Sequence, residues 1–114
     1  MYQLLSASVE RIKNSTHINE ILEKTELVVC FFCENEKWLV RFGNQTIEIE
    51  SVFDHVGDVI IEGDLEAIRL LLKGEDFLLS MKNRGELEVN GGLRELLLLE
   101  SLFYLTKDTN TPKK

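Results

Sequence analysis

The sequence predicts an α+β domain in which a five-stranded, mostly antiparallel sheet carries helices over one face. Three observations support this class: helical spacing of apolar residues near both ends, a run of strand-like segments in the first half, and one strand-like segment before the last helix. Helices grouped at the ends of a strand meander pack together on one face of the sheet. We expect one domain over residues 1–108 and a flexible polar tail over residues 109–114.

The charge of the chain is negative and unevenly distributed. The net charge is −7, and the segment from Glu34 to Glu66 holds nine acids against Lys37 and Arg41. Such a region repels phosphate, so nucleic acid is not expected as a partner and anionic membranes are disfavoured. The N-terminus lacks a leader pattern, no apolar run could span a bilayer, and two cysteines make no disulfide framework. We therefore expect a cytoplasmic protein without stable membrane insertion.

The first two elements are predicted to be helices. Residues 2–14 place Tyr2, Leu5, Val9 and Ile12 on one stripe, which indicates an amphipathic helix. Only two cations flank that stripe, so burial against a sheet is favoured over attachment to a membrane surface. A short second helix follows, ending near Lys24; it is capped by Thr16 and carries Ile18, Ile21 and Leu22.

Three strands are predicted next as a meander. Leu27 to Cys33 is continuously apolar and rich in β-forming residues, which is typical of a central strand. The polar turn Glu34 to Lys37 leads into a second strand from Trp38 to Phe42. Gly43 and Asn44 form the next turn, and a third strand around Ile47 and Ile49 alternates with Glu48 and Glu50.

The second half is predicted to add two strands and two helices before the final helix. Val56 to Glu62 forms a fourth strand, and Asp64 caps a helix from Leu65 to Lys73 that ends at Gly74 in a left-handed conformation. Residues 76–83 favour a short helix because Phe77 and Met81 are four apart. Glu86 to Val89 forms the fifth strand.

The final helix, from Leu93 to Leu105, is more apolar than one core face requires. Its large apolar side chains are Leu93, Leu96, Leu97, Leu98, Leu99, Leu102, Phe103 and Leu105. One core face uses about five of them, and leaving three side chains in water loses roughly 5 to 9 kcal/mol of the free energy gained by burial. We expect a ligand or a protein partner to cover the second side. A helix with one tightly packed stripe and water-exposed leucines elsewhere would call for neither a ligand nor a partner.

The second half of the chain resembles the sterol carrier protein 2 domain. The resemblance covers about fifty residues and rests on a strand that feeds a Gly-Asp-capped helix ending in Gly-Glu (Gly63 to Glu75) and on the strand Gly85-Glu-Leu-Glu-Val-Asn-Gly91 before a leucine-rich helix. The resemblance implies strand order 3-2-1-4-5 and a hydrophobic cavity between sheet and helices that holds a lipid-like molecule. Asn-Gly-Gly replaces the acidic residue that commonly follows the last glycine, and the chain ends without the Ser-Lys-Leu type of signal, so a peroxisomal role is not carried over.

Nine residues are predicted to contact the ligand. The resemblance places part of the final helix against the cavity, and the Met and aromatic side chains suit an adaptable apolar pocket, with plain core packing as the equal alternative. The predicted set is Trp38, Ile68, Leu72, Phe77, Met81, Leu96, Leu99, Leu102 and Phe103.

No motif in the sequence favours catalysis, a metal or a cofactor. Cys30 and Cys33 are three apart on a strand, so their thiols point to opposite faces. His17 and His55 lie in no nucleophile motif, the paired strand carboxylates are typical of a solvated face, and Gly91-Gly92 is explained by a strand-to-helix turn.

The sequence thus predicts a non-catalytic module that binds a fatty acyl chain or a terpenoid-like molecule. The alternative is a homodimer or accessory subunit in which the final helix forms the interface and no ligand is bound.

Overall fold

The structure is a computed structural model that describes residues 1–15, 18–43, 46–54 and 57–107. Its helices are α1 (Tyr2–Lys13), α2 (Asn19–Glu23), α3 (Leu65–Leu72), α4 (Leu78–Asn83) and α5 (Leu93–Leu105). Its strands are β1 (Leu27–Cys33), β2 (Glu36–Gly43), β3 (Thr46–Ser51), β4 (Val59–Glu62) and β5 (Glu88–Asn90).

The five strands form one sheet with the order β3-β2-β1-β4-β5, which confirms the predicted fold class and strand order. Three of the four strand pairs are antiparallel, and β1 and β4 are parallel. The parallel pair lies at the centre, where Val29 is opposite Val59 and Phe31 is opposite Ile61. β1 is therefore paired on both sides, which agrees with its continuously apolar sequence.

Three predicted strand starts were wrong, because strand ends depend on pairing rather than on composition alone. β2 begins at Glu36, since that residue pairs with Cys33, and the turn shrinks to Glu34 and Asn35. β4 begins at Val59, because Gly57 and Asp58 form bends. β5 begins at Glu88, two residues later than expected. Four predicted features lie outside the described residues: the cap Thr16, the strand start Val56, the turn residue Asn44 and the tail 109–114.

Local signals fix both ends of α3. A carboxylate oxygen of Asp64 accepts a hydrogen bond from the backbone N–H of Ala67 at 2.8 Å, which confirms the predicted cap. At the other end Gly74 has φ +74°, and a side chain there would meet the backbone oxygen of Phe103 at 2.6 Å. Glycine is therefore required both by the left-handed turn and by the close approach of α5.

The sheet has a core face and an outer face. Alternate residues of the strands, including Val29, Phe31, Val40 and Ile61, join the helices in one hydrophobic core. Buried side chains from α1, α3, α4 and α5 complete that core.

Candidate functional site

A small apolar cavity lies between the core face of the sheet and three helices. α1 contributes one stripe of its surface, the central strands form the floor, and α3 and α5 close the far side. Its lining residues are Leu5, Ser8, Val9, Ile12, Phe31, Val40, Phe42, Leu72, Leu99 and Phe103. This is where the resemblance predicted a ligand.

The lining side chains nearly fill the cavity in this structure. Its volume is about 10 Å³, which is near the lower limit of the space that one water molecule needs. Small-molecule sites typically enclose about 300 to 1,000 Å³. A lipid-like molecule therefore fits only if the lining side chains and a wall of the cavity move apart.

Ser8 is the one polar side chain in this lining. It is 2% exposed, and its hydroxyl donates a long hydrogen bond of 3.4 Å to the carbonyl of Leu72. Its position on α1 follows from helical spacing, since Leu5, Ser8, Val9 and Ile12 form the buried stripe of that helix. The lining is therefore almost wholly apolar, and a polar molecule placed there would lose its hydrogen bonds with water.

Arg11 holds α1 against the ends of two other helices. Its Nη2 donates to the carbonyl of Leu72 at 2.6 Å, and its Nε donates to the carbonyl of Thr106 at 3.3 Å. Both carbonyls lie at helix C-termini, where a cation is favourable. Together with Ser8, this side chain fixes the position of α1 over the cavity.

The nine predicted ligand contacts do not lie together. Leu72, Leu99 and Phe103 line the cavity. Ile68, Met81, Leu96 and Leu102 are buried in the surrounding core without lining it.

The two remaining aromatic residues lie away from the cavity. Trp38 is partly buried, and its ring centroid is 5.2 Å from that of Tyr2 on α1. Phe77 is 42% exposed and packs on Tyr104 of α5, with 5.2 Å between ring centroids. Neither position could be predicted from the sequence, because both aromatic contacts join residues that are distant along the chain.

α5 has a single buried stripe. Leu96, Leu99, Leu102 and Phe103 are buried, and Leu98 is partly buried. Leu93, Leu97 and Leu105 are 63%, 45% and 44% exposed. The helix thus shows the single buried stripe and water-exposed leucines under which its apolar surplus gives no support for a ligand or a partner. The exposed leucines are not in the cavity lining, and the case for a ligand must rest on the cavity and the fold.

Sequence reasoning missed seven lining residues, although the signals for most were present. Leu5, Val9 and Ile12 had already been assigned to the buried stripe of the first helix, and inward alternation marks Val40 and Phe42. The sequence did not show that α1 packs over the strands at this point.

A second groove lies at the end of strands β1 to β3 and has a different character. Its volume is about 550 Å³, and its lining includes Glu26, Arg41, Glu48 and Asp58. Three carboxylates and one guanidinium make it a polar surface depression. An apolar ligand would gain little there.

The polar and thiol side chains of the described residues were compared with the requirements of a metal site and of a reactive cysteine. Those residues contain no group of three or more potential metal ligands, and the thiols of Cys30 and Cys33 are buried and free of disulfides. Burial, with a smaller effect of Glu34 and Glu36, raises the pKa of Cys33, so its reactive thiolate is disfavoured. Arg84 lowers the pKa of Glu86 through a hydrogen bond on the protein surface. His17 and His55 lie outside the described residues.

Within the described ranges, no helix has the length and hydropathy needed to cross a membrane.

Comparison with solved structures identifies the fold. The ubiquinone synthesis protein UbiJ-SCP2 matches with a TM-score of 0.72 and 14% identity over 89% of this chain and 85% of its own. The sterol carrier protein domain 2 of Helicoverpa armigera matches with a TM-score of 0.72 and 15% identity over 92% of this chain and 86% of its own. Palmitated SCP2L2 from Aedes aegypti matches with a TM-score of 0.57 and 17% identity over 85% of this chain and 91% of its own.

No family model matches the sequence, and no curated protein matches it. The resemblance seen in the second half of the chain is thus confirmed at the level of fold. The chain has the fold of the sterol carrier protein 2 domain across most of its length.

Proposed function

We propose, from the sterol carrier protein 2 fold of this chain, that it binds an apolar, lipid-like molecule without transforming it. The observation that carries the proposal is the apolar cavity between α1, the sheet and α5. The proposed ligand contacts are therefore Leu72, Leu99 and Phe103 of the predicted set, together with the cavity face of α1 and the strand residues beneath it.

Binding requires the cavity to widen, and α1 is the wall that we propose to move. Among the described residues, two side-chain hydrogen bonds from Arg11 and one from Ser8 hold it to α3 and α5. Their acceptors are carbonyls at helix ends, which water can satisfy when the helix moves away. Apolar surface exposed on opening is covered again by the ligand, so the hydrophobic contribution is largely retained.

A fatty acyl chain fits this mechanism better than a rigid terpenoid ring system. A flexible chain can enter between a helix and a sheet with a small displacement, whereas fused rings need a wide cavity at once. A structural relative, SCP2L2 from Aedes aegypti, is described as palmitated. We therefore propose a long-chain fatty acyl group as the ligand class.

Two measurements test the proposal. Protein purified from cells is examined by native mass spectrometry, and the solvent extract is analysed for lipids. The purified protein is then titrated with cis-parinaric acid, whose fluorescence rises in an apolar site. We expect a co-purified acyl lipid and saturable binding of the probe. Empty protein that also fails to bind the probe would contradict the function.

A matched pair of variants locates the site. Val9→Phe adds a ring inside the cavity lining, whereas Val28→Phe makes the same change on the outer face of β1. We expect Val9→Phe to weaken probe binding by about tenfold or more and Val28→Phe to leave it within about twofold, since overpacking removes space only at the first position. Methyl NMR shifts in the wild-type protein, concentrated at Val9 and Val40, provide a readout that does not depend on variant folding. Equal effects of the two variants, with shifts elsewhere, would place the ligand outside this cavity.

We also propose a reducing compartment such as the cytoplasm. Cys30 and Cys33 are buried and three apart on β1, so they cannot form a disulfide with each other without disrupting the strand.

A further inference from the structure

The outer face of the sheet carries an apolar strip across its three central strands. The pairing register places Leu39 of β2, Cys30 of β1 and Ile60 of β4 in one row. Val28 and Phe32 flank Cys30 two residues away along β1, on the same face. None of these five belongs to the core that the helices cover. Leu39 and Cys30 form a buried floor, and Val28, Phe32 and Ile60 are partly exposed above it.

The dimensions of this strip match one α-helix. Three neighbouring strands span about 10 Å from β2 to β4, which is close to the diameter of a helix with its side chains. Val28 to Phe32 extend about 13 Å along β1 at the usual rise of a strand. A helix of about three turns has a similar length.

Carboxylates border the strip on both sides. Glu48 and Glu50 lie on β3, beyond β2, and Glu50 pairs in register with Leu39. On the opposite side Glu62 of β4 is in register with Glu88 of β5. Within the described residues, Glu48, Glu62 and Glu88 form no ion pair, whereas Glu50 forms an ion pair with Arg41 at 3.0 Å.

Among the described residues, two cations also lie on this face, and they are too few to make its net charge positive. Arg41 is bonded to Glu50, and the ammonium of Lys37 lies 5.2 Å from the ring centre of Phe32 while donating to the carbonyl of Phe53. The four carboxylates of the strands outnumber them. Three of the nine acids between residues 34 and 66, Glu48, Glu50 and Glu62, thus lie on this face of the sheet.

We propose that the outer face of the sheet docks a basic amphipathic helix of a partner protein. The apolar side of that helix would cover Phe32, Ile60 and Val28, and its flanking lysines or arginines would meet the carboxylates of β3 on one side and of β4 and β5 on the other. Charge complementarity selects this partner, because an acidic helix or a second copy of this acidic face would be repelled. An anionic membrane would be repelled for the same reason.

The experiment uses synthetic peptides and the full chain. A helical peptide of about 18 residues with leucine on one face and lysine on the other is titrated into the ¹⁵N-labelled protein. Control peptides carry the same pattern with glutamate in place of lysine, or the same Leu/Lys composition in a scrambled order. We expect only the patterned Leu/Lys peptide to bind, with amide shifts concentrated at Val28 to Phe32, Leu39 to Arg41 and Ile60 to Glu62.

Two double variants separate a local site from a general charge effect. Glu62→Lys with Glu88→Lys reverses two carboxylates beside the strip, and Glu10→Lys with Glu75→Lys reverses two exposed carboxylates on the helical side. Each pair changes the net charge by four units, from −7 to −3. We expect the first pair to weaken binding about tenfold and the second by less than about twofold.

The possible results decide the proposal without depending on lipid binding. Three results would overturn the docking proposal. The two double variants could weaken binding equally, the glutamate or scrambled peptide could bind as well as the patterned one, or the shifts could be confined to α5 or the cavity. Absence of binding at millimolar peptide would do the same. The cis-parinaric acid titration is read separately, so failure of the docking surface and failure of the lipid site are distinguishable.

Discussion

Arg11 is the side chain that ties α1 to the rest of the helical layer. Its guanidinium bonds the terminal carbonyls of α3 and α5, at Leu72 and Thr106. A hydrogen bond from a charged donor contributes about 1.5 to 3 kcal/mol when its acceptor is shielded, and part of that is lost here because Arg11 is only partly buried. Arg11 therefore stabilises the position of α1, the helix that we propose to move when ligand binds.

We predict that Arg11→Met lowers the free energy of unfolding by about 1 to 2 kcal/mol and speeds uptake of cis-parinaric acid. Methionine retains much of the aliphatic packing but donates no hydrogen bond. Urea denaturation and stopped-flow fluorescence measure the two effects. Lys13→Met, at an exposed position of the same helix, is the control and should change stability by less than about 0.5 kcal/mol. Slower uptake in Arg11→Met would argue against α1 as the moving wall.

Cys33 gives a prediction for alkaline pH. Burial raises the pKa of its thiol above the ordinary value of 9.0, so the folded state holds the proton more tightly than the unfolded state. The stabilising contribution is therefore complete below the unfolded pKa and is lost as pH rises from about 9 through the higher folded pKa.

We expect the free energy of unfolding, measured in urea between pH 7 and 10.5, to fall more steeply for the wild type than for Cys33→Ala. The maximum difference in slope for one proton is about 1.4 kcal/mol per pH unit. Tyrosines, lysines and Cys30 are present in both proteins, so their titration cancels in the comparison. Parallel curves would show that the thiol titrates alike in the folded and unfolded states.

At the scale of the element, α5 divides its leucines between core and water. Leu99 is 0% exposed and Leu97 is 45% exposed, although they are two residues apart. The separation follows from helical geometry, since two positions are about 200° apart around the axis. The same substitution at the two sites thus compares burial with exposure in one helix.

We predict that Leu99→Ala lowers the free energy of unfolding by about 2.5 to 5 kcal/mol because it leaves a cavity in the core. Leu97→Ala should change it by less than about 1 kcal/mol. Thermal and urea denaturation followed by circular dichroism give both values. A large loss for Leu97→Ala would reveal a cover over the second side of α5. The homodimer alternative, which the comparisons do not favour, would then regain support, and sedimentation velocity would test it.

At the scale of the whole molecule, ligand binding and stability are linked. A ligand that binds the folded chain alone stabilises it by about 2.7 kcal/mol when its concentration is one hundred times its dissociation constant. For a chain of 114 residues, this corresponds to a rise in melting temperature of roughly 10 °C. Because the cavity volume is only about 10 Å³, the free energy needed to widen it should offset part of this gain.

We therefore expect palmitate to raise the melting temperature by several degrees and up to roughly 10 °C, whereas an equally long diacid should have little effect. The diacid places a second charge in the apolar lining, which is costly. Differential scanning fluorimetry measures both shifts. An equal shift with the two ligands would indicate binding at the protein surface rather than within the cavity.

Much of the fold could be predicted because its signals are local. The spacing of Leu5, Val9 and Ile12 determines which side of α1 is buried, and Asp64 and Gly74 fix the ends of α3 through bonds within a few residues. The continuous apolar run of β1 indicated a central strand, and it is paired on both sides. Each of these features depends on backbone periodicity or on a cap, and both are encoded in short stretches of chain.

The site was predicted only in part, because its shape depends on residues that are far apart in sequence. Leu72, Leu99 and Phe103 were predicted and line the cavity, but Phe77 lies on the surface against Tyr104. The sequence alone determined the helices, the central strand, the apolar faces and the acidic central segment. Only the tertiary structure decided that the cavity is nearly filled, that α5 exposes three of its seven leucines and that carboxylates of β3, β4 and β5 share one outer face. The volume between two layers and the charge on a surface arise from how distant side chains meet, which no local pattern specifies.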